Sequence, residues 1–486
     1  MTNSKTNKPT NFRWTICLML FLATTVNYLD RQVLSLTWKD FIAAEFHWTD
    51  ADYGNIAAIF SIAYAISMLF AGRIIDILGT KKGYLWAIGI WSAAALSHAL
   101  CGWFTLTYTG IESSAALEAV ESGTALAFTI ASVSSYAFIA ARILLAFGEA
   151  GNFPAAVKVT AEYFPKKDRA FATSIFNAGS TVGALAAPLT IPFIARYFKD
   201  LGVGGGWEMA FVLIGALGFL WMGLWVFYYN KPAESKHVNK AEYDYINSDG
   251  EEDHEASDSK PERKVSFFES FRYRQTWAFA VGKFMTDGVW WFFLFWTPAY
   301  ISDVYGYSSD SMMGMLLIFV LYAITMLSIY GGKLPTIIME RTNKDPYTAR
   351  MQAMLIFAFF PLLTLFAQPL GSISVWFPVI IIGIAGAAHQ SWSANIYTTV
   401  SDMFPKSMIA TIIGIGSMAG GVGSFLINKG SGMLFTHAEL TNMTVLGFEG
   451  KPAGYFIIFA ICSVCYLIGW IVMKSLVPKY EVIRLK

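Results

Sequence analysis

The sequence predicts an all-α membrane protein with twelve transmembrane helices arranged as two halves of six. Hydrophobic residues make up 55% of the 486 residues and charged residues only 14%, whereas soluble domains carry about 25% charged residues. Twelve apolar segments follow one another, each close to the roughly 20 residues that a helix needs to cross a bilayer. A hydrophilic stretch, residues 230–275, separates the first six segments from the last six.

The twelve spans are assigned in chain order from these apolar segments. The first half contains spans 14–36, 53–71, 83–103, 138–162, 170–196 and 207–229. The second half contains spans 276–301, 311–331, 350–368, 374–400, 408–428 and 453–475. We therefore predict an N-terminal half over residues 1–229, a linker over 230–275 and a C-terminal half over 276–486. The linker carries the acidic run 248–253 and is expected to be partly disordered.

Lysine and arginine predict the orientation, because cytoplasmic loops are enriched in these residues. The loops after the second, fourth and eighth spans and the C-terminal tail are all basic, whereas no lysine or arginine lies between residues 83 and 141. Both termini and the linker are therefore expected in the cytoplasm. Four residues on the opposite side are mild exceptions to the pattern: Arg196, Lys199, Lys429 and Lys451.

The segment before the fourth span, residues of about 105–135, is longer than a minimal loop, and we expect a helical insertion there.

Other function classes find little support. The six histidines and four cysteines show no metal-ligand spacing, so neither a metal nor a cofactor is expected. The sequence lacks H-E-x-x-H, P-loop and G-x-S-x-G motifs, which argues against an enzyme. A net charge of +1 gives no indication of nucleic-acid binding.

Charged residues inside apolar segments give the strongest functional signal. Arg142 and Glu149 are seven residues apart in the fourth span, which places them on one helix face about 10 Å apart. Asp30 and Arg31 lie in the first span and balance their charges. Charge balance favours the pairs Arg31–Glu149 and Asp30–Arg142. Ionisable residues at membrane depth usually face a substrate or ion path, although a purely structural helix lock is the alternative.

A short motif recurs in both halves. E-Y-F-P-K at 162–166 returns as D-M-F-P-K at 402–406, an offset of 240, and each copy precedes a glycine-rich segment. The same offset places His389 at the position of Glu149. Polar groups at corresponding depths of two repeats indicate a transporter site between the halves.

The segment 72–82 resembles the G-x-x-x-D-x-x-G-x-[RK]-[RK] signature of the major facilitator superfamily. Its glycines would allow a tight turn and close packing, and its charges would control the gate. The gating residues in this chain are Gly72, Asp76, Gly79, Lys81 and Lys82. The resemblance implies the twelve-helix fold of that superfamily.

Further motifs are similar to those of the anion:cation symporters, and especially of bacterial hexuronate transporters. They include N-Y-L-D-R at 27–31, G-E-A-G-N-F-P-A-A at 148–156, D-G-V-W-W-F-F-L-F-W-T-P at 287–298 and A-H-Q-S-W-S-A-N at 388–395. The resemblance implies proton-coupled import of a sugar-acid monoanion such as galacturonate or glucuronate. It also implies a monomer in the lipid bilayer of the bacterial inner membrane, with no nucleic-acid partner.

The resemblance assigns roles to individual residues. Asp30 and Glu149 would carry protons, with Arg142 as the partner of Asp30. Arg31 would bind the substrate carboxylate. The remaining substrate contacts would come from Tyr28, Tyr64, Lys283, His389, Gln390 and Asn395. Asp287, one turn from Lys283, is a possible partner for that lysine, and the tryptophans at 290, 291 and 296 fit packing or an interfacial belt better than a sugar platform.

The residues also suggest a coupling mechanism. Burial favours a neutral carboxyl, whereas a neighbouring arginine favours the carboxylate. A substrate carboxylate that takes Arg31 would leave Glu149 to bind a proton, and the two events would favour each other by linkage. Three alternatives stay open: a carrier for another organic anion such as a hexonate or sialic acid, a receptor that binds without transport, and, with least support, a membrane enzyme.

Overall fold

The computed structural model describes residues 8–248, 268–331 and 333–483, and it is almost entirely helical. In the N-terminal half, α1 continues through a π turn (Trp38–Ile42) into α2. The helices of this half are α1 (Phe12–Thr37), α2 (Ala43–Phe46), α3 (Asp50–Leu78), α4 (Thr80–Thr109), α5 (Ser114–Glu118), α6 (Ala125–Glu149), α7 (Asn152–Tyr163), α8 (Lys166–Asp200) and α9 (Trp207–Tyr228).

The predicted linker contains two 3₁₀ turns, Pro232–Glu234 and Glu269–Arg272, and the short helix α10 (Lys240–Ile246). Its central part, residues 249–267, lies outside the described residues. In the C-terminal half, a 3₁₀ segment (Phe360–Phe366) connects α15 to α16, and a two-residue antiparallel ladder, β1 (Thr444–Val445) with β2 (Phe448–Glu449), precedes the last helix. The helices are α11 (Arg274–Tyr305), α12 (Met312–Thr325), α13 (Ser328–Gly331), α14 (Leu334–Thr342), α15 (Pro346–Phe359), α16 (Ala367–Gly371), α17 (Trp376–Met403), α18 (Lys406–Thr441) and α19 (Lys451–Leu476).

Nine helical stretches within the described residues are long and apolar enough to cross a membrane. α11 and α17 are also of spanning length, whereas α12 has only 14 residues. The chain is thus a multi-pass helical membrane protein, and the count of twelve spans stays a prediction.

The region assigned to an insertion differs from the expectation. Residues 105–109 extend α4 up to Gly110, which ends the helix with φ 71°. Residues 125–135 already belong to α6, whose start is capped by Thr124. Only α5 stands apart, and its Leu117 is fully buried, with its carbonyl oxygen 2.9 Å from His47 Nε2. The fourth span also differs, because α6 ends at Glu149 and α7 begins at Asn152.

The two halves repeat one packing scheme. α1 lies along α8 as α11 lies along α18, and α3 contacts α6 as α12 contacts α17. The two copies of the Phe-Pro motif have the same backbone: Pro165 has φ −63° and ψ 155°, and Pro405 has φ −63° and ψ 152°. Each proline precedes the first residue of a long helix, where its missing N–H needs no partner. The halves meet where α3 packs along α18 and α8 along α12.

The end of the bundle that contains Lys39 is here called the outer end, and the end where α1 begins the inner end. Hydrogen bonds join the halves at the outer end. The Tyr53 hydroxyl donates to the Phe295 carbonyl at 2.9 Å, and the Asp40 carboxylate accepts bonds of 2.6 Å from the Ser302 hydroxyl and 2.8 Å from the Ser309 N–H. An exposed ion pair, Arg196–Asp310 at 3.0 Å, also bridges them.

A partly buried ion network lies beside these hydrogen bonds. This outer network consists of Lys39 and Asp50 from the N-terminal half and Asp303, Glu439 and Lys451 from the C-terminal half. Lys39 is 2.7 Å from Asp303 and 3.6 Å from Asp50, while Lys451 is 2.8 Å from Asp50, 3.2 Å from Glu439 and 3.5 Å from Asp303. The Asp50 carboxylate is fully buried. Each lysine thus contacts carboxylates of both halves, which holds the outer ends together.

Candidate functional site

The first site element is a buried ion pair near the middle of the N-terminal half. Arg31, on α1, donates from Nε and Nη2 to Glu149 Oε2, at 2.9 and 2.7 Å. The two side chains are 5% and 0% exposed. Glu149 is the last residue of α6, and its other oxygen, Oε1, is buried without a protein partner. The sequence-predicted pair Arg31–Glu149 is therefore present.

Local packing explains why Glu149 can reach this position. A Cβ atom on the preceding residue, Gly148, would lie 2.4 Å from the backbone nitrogen of Trp91 on α4. Only glycine allows α6 to approach α4 this closely. The end of α6, and with it the Glu149 carboxylate, is thereby fixed against the rest of the half.

Aromatic rings surround the guanidinium of Arg31. Its Cζ atom is 4.8 Å from the ring centre of Tyr64, 5.1 Å from that of Trp291, 5.2 Å from that of Tyr28 and 6.0 Å from that of Phe60. These distances are in the range of cation–π contacts. Trp291 comes from α11, so the cage around Arg31 contains residues of both halves. Tyr28 and Tyr64, which are predicted substrate contacts, both belong to this cage, whereas Phe60 was missed and Trp291 was interpreted as packing.

The second predicted pair, Asp30 with Arg142, is not formed. Both carboxylate oxygens of Asp30 are buried without a hydrogen-bond partner, as are Nε and Nη1 of Arg142. The Arg142 guanidinium instead lies 5.3 Å from the ring centre of Phe60. Consecutive helix residues point about 100° apart, so with Arg31 directed at Glu149 the Asp30 side chain leaves α1 in a different direction. Asp30 is thus a buried carboxyl group with free hydrogen-bonding capacity.

A second cation–carboxylate pair lies in the C-terminal half. Lys283 Nζ is 2.7 Å from Asp287 Oδ2, one turn along α11, and 4.3 Å from the ring centre of Tyr397. The lysine and aspartate side chains are 5% and 14% exposed. The sequence suggested Asp287 as a partner of Lys283, and the structure confirms the contact. Tyr397 was not singled out, and nothing in its sequence surroundings distinguishes it.

The other predicted C-terminal residues lie on α17. The His389 ring is stacked on Trp290 at 5.2 Å, and its Nδ1 is 2.7 Å from the Tyr466 hydroxyl. Asn395 is buried and donates from Nδ2 to the carbonyl of Ser391, 2.8 Å away on its own helix. Gln390 is half-buried. His389 therefore packs within the C-terminal half, and of these residues Gln390 is the least enclosed.

The predicted gating motif lies at the inner end, between α3 and α4. Gly79 has φ 77° and ψ 155°, a conformation essentially restricted to glycine, which accounts for the tight turn. Lys81 donates to the Val226 carbonyl at 3.1 Å and to Asn230 Oδ1 at 2.9 Å, and Lys82 is exposed. The expected close packing at Gly72 is absent, because a Cβ there would meet no described atom within 4 Å. The Asp76 side chain lies outside the described residues.

The described residues contain no group of three or more His, Cys, Asp or Glu side chains that could hold a metal ion. The site instead consists of two buried ion pairs, one in each half, and an aromatic cage at the boundary. Such an arrangement between two helical repeats is typical of membrane carriers.

Comparison with known proteins agrees with this class. The sequence profile of the Major Facilitator Superfamily matches residues 20–428, so the chain belongs to this superfamily of membrane transporters. The hexuronate transporter of Escherichia coli K12 is 27% identical over 471 residues, which cover 95% of this chain and 94% of that protein.

Two further relatives match a smaller part of the sequence. The galacturonate transporter of Dickeya chrysanthemi is 29% identical over 61% of this chain and 74% of its own length. A probable galactarate/D-glucarate transporter of Escherichia coli K12 is 28% identical over 62% of each chain. Among solved structures, a D-xylose-proton symporter shares the fold with a TM-score of 0.66 at 16% identity, over 94% of this chain and 97% of that one.

Proposed function

We propose that the chain is a proton-coupled symporter that imports a hexuronate monoanion, galacturonate or glucuronate, by alternating access across the bacterial inner membrane. The buried Arg31–Glu149 pair inside a cage built by both halves carries this proposal. The names of the hexuronate and galacturonate transporters among the relatives support the substrate class.

Competition for Arg31 provides the coupling step. Arg31 is the cation that neutralises Glu149, and its planar fork suits a carboxylate. A substrate carboxylate that binds the fork displaces Glu149, which then lies buried without a counterion and takes up a proton. Conversely, a protonated Glu149 releases Arg31 for substrate. Each ligand thus raises the affinity for the other by the same factor.

The remaining site residues have distinct roles in this mechanism. Asp30 and Arg142, buried with unpaired polar atoms, provide a second protonatable group and its neighbouring cation. Tyr28 and Tyr64 flank Arg31 and offer rings and hydroxyls to the sugar. Lys283, His389, Gln390 and Asn395 are proposed to contact the substrate from the C-terminal half. Opening of the inner end would involve Gly72, Asp76, Gly79, Lys81 and Lys82.

The test is uptake of labelled galacturonate and glucuronate into proteoliposomes under an inward proton gradient. We expect accumulation above equilibrium that a protonophore abolishes. Glu149→Gln should remove accumulation but retain exchange of substrate across the membrane, because the neutral amide mimics the protonated carboxyl. Glu112→Gln, the same change at an exposed residue between α4 and α5, is the matched control and should behave as wild type.

Each other outcome points to a different alternative. Transport of a hexonate or sialic acid in place of either uronate would show the substrate proposal to be wrong while the carrier mechanism stands. Gradient-driven accumulation by Glu149→Gln would contradict the coupling role of Glu149. Saturable binding without any transport would favour a receptor.

A further inference from the structure

The Lys283–Asp287 pair lies on the face of α11 that also carries Trp291. Lys283, Asp287 and Trp291 are spaced by four residues and therefore share one face of α11. Trp291 covers the Arg31 guanidinium at 5.1 Å. Asp287 precedes Trp291 by one helical turn, about 6 Å along the axis towards the inner end. A sugar acid held at Arg31 and extending towards the inner end would therefore meet the Lys283–Asp287 pair.

Packing against α18 independently places Asp287 near the boundary between the halves. A Cβ on Gly420 would lie 2.2 Å from Asp287 Oδ2, so the carboxylate rests against the backbone of α18. A Cβ on the next residue, Gly421, would lie 2.1 Å from the Cβ of Ala65 on α3. Ala65 is adjacent to Tyr64, which also covers Arg31. Asp287 and the α3 segment that carries Tyr64 thus lie against consecutive residues of the same helix, α18.

The charge of this second pair decides what it can bind. Asp287 neutralises Lys283, and the pair carries no net charge. The hydroxyl groups of a sugar can bind without breaking the pair, because the carboxylate accepts and the ammonium donates hydrogen bonds. A second substrate carboxylate would have to displace Asp287 from Lys283, and the displaced carboxylate would need a further proton, in addition to the one that Glu149 takes up, or would stay buried without a counterion. Binding of a dicarboxylate therefore carries an additional cost.

We propose that Asp287 is a specificity-determining residue that excludes dicarboxylates and so restricts the carrier to acids with a single carboxylate. This inference rests on the proposed function and adds to it a selection of acids with one carboxylate over acids with two. The relatives make the distinction concrete, since some are named for hexuronate or galacturonate, which have one carboxylate, and others for galactarate and D-glucarate, which have two.

Competition against labelled galacturonate in proteoliposomes tests the proposal, with unlabelled glucuronate and galactarate as competitors. In the wild-type protein, galactarate should inhibit at least tenfold more weakly than glucuronate. Asp287→Asn preserves the shape of the side chain and frees the Lys283 cation. The inhibitory potency of galactarate should therefore rise at least tenfold relative to that of glucuronate. Asp200→Asn is the matched control, because it also removes the carboxylate of an i,i+4 pair, but at the exposed end of α8.

The double variant Lys283→Gln/Asp287→Asn distinguishes an effect of the freed Lys283 charge from an effect of altered space in the site. It removes the Lys283 cation as well, so the rise in the inhibitory potency of galactarate should disappear. Equal inhibition by galactarate and glucuronate in the wild-type protein overturns the proposal, whether or not the single variant folds. An unchanged ratio in folded Asp287→Asn also overturns it. If the wild-type protein accumulates neither uronate, the proposed function fails instead.

Discussion

The central charge cluster and the outer network differ in which elements they join. The central cluster, formed by Asp30, Arg31, Arg142 and Glu149, lies within the N-terminal half on α1 and α6. The outer network connects α3 and the π turn after α1 with α11, α18 and α19 of the other half. Both clusters pair cations with carboxylates, but the central cluster uses arginines and is buried throughout, whereas the outer network uses lysines and extends to the exposed Glu439.

This difference separates two tasks. A cluster within one half can exchange a proton or a substrate carboxylate while the halves stay in place. A network that spans the halves must break whenever their outer ends separate. Alternating access requires both properties, because ligand exchange must be possible in one conformation and the conformation itself must be able to change. Substitutions in the central cluster should therefore alter binding and coupling, and substitutions at the outer end should alter the conformational equilibrium.

The largest effect is expected from Arg31→Gln in the central cluster. This change removes the cation that neutralises Glu149 and that is proposed to bind substrate, and loss of one partner of a buried charge pair costs about 2–5 kcal/mol. Uptake of every sugar acid should fall at least a hundredfold. Arg31→Lys keeps the charge but loses the two-pronged geometry, so partial activity is expected. Uptake within tenfold of wild type by folded Arg31→Gln would contradict the central role of this residue.

A smaller and different effect is expected from Asp50→Asn in the outer network. Its buried carboxylate pairs with Lys451 of the other half. Losing this charged contact should favour the conformation with separated outer ends by about 2 kcal/mol, which raises the ratio of separated to closed molecules roughly thirtyfold. Spin labels at Leu201→Cys and Met312→Cys, exposed outer-end residues of opposite halves, would report a longer distance. The half-buried Cys465 is replaced by serine in all samples. An unchanged distance distribution would show that the network does not hold this end closed.

The sequence predicts the components of the central cluster better than its connections. Buried charges must be balanced, which was enough to identify Arg31 and Glu149 as partners. Charge balance alone does not determine side-chain direction, so the Asp30–Arg142 pair was predicted and is absent. The contact of Trp291 with Arg31 was also missed, because it depends on how the two halves pack, which no pattern within one segment reveals.

The ion pairs between the outer ends left only an indirect trace in the sequence. Arg196 and Lys451 were exceptions to the basic-residue pattern used to assign orientation. In the structure, each pairs with a carboxylate of the opposite half. Their position is therefore explained by a tertiary contact that the charge statistics of loops do not include. Helix ends show the same limit, because α6 begins at the Thr124 cap well before the span expected from hydropathy.

Tyr53→Phe should change the conformational equilibrium less than Asp50→Asn. The substitution removes a single neutral hydrogen bond, from the Tyr53 hydroxyl to the Phe295 carbonyl, and leaves the ring stacked on Trp38 at 4.1 Å. A neutral hydrogen bond contributes about 1 kcal/mol, so the separated population should rise about fivefold. The same spin-label pair measures it. A shift as large as that of Asp50→Asn would indicate that the hydrogen bond and not the ion network dominates the closure.

Arg196→Gln should have the smallest effect, although it also breaks an ion pair between the halves. The Arg196 side chain is 58% exposed, and its 3.0 Å contact with Asp310 competes with water and salt. Ion pairs of exposed side chains contribute little, so the separated population should change less than in Tyr53→Phe and the change should shrink at high salt. A shift equal to that of Asp50→Asn would show that burial does not determine the strength of these contacts. The expected order Asp50, Tyr53, Arg196 would instead locate the main closing interaction in the outer network.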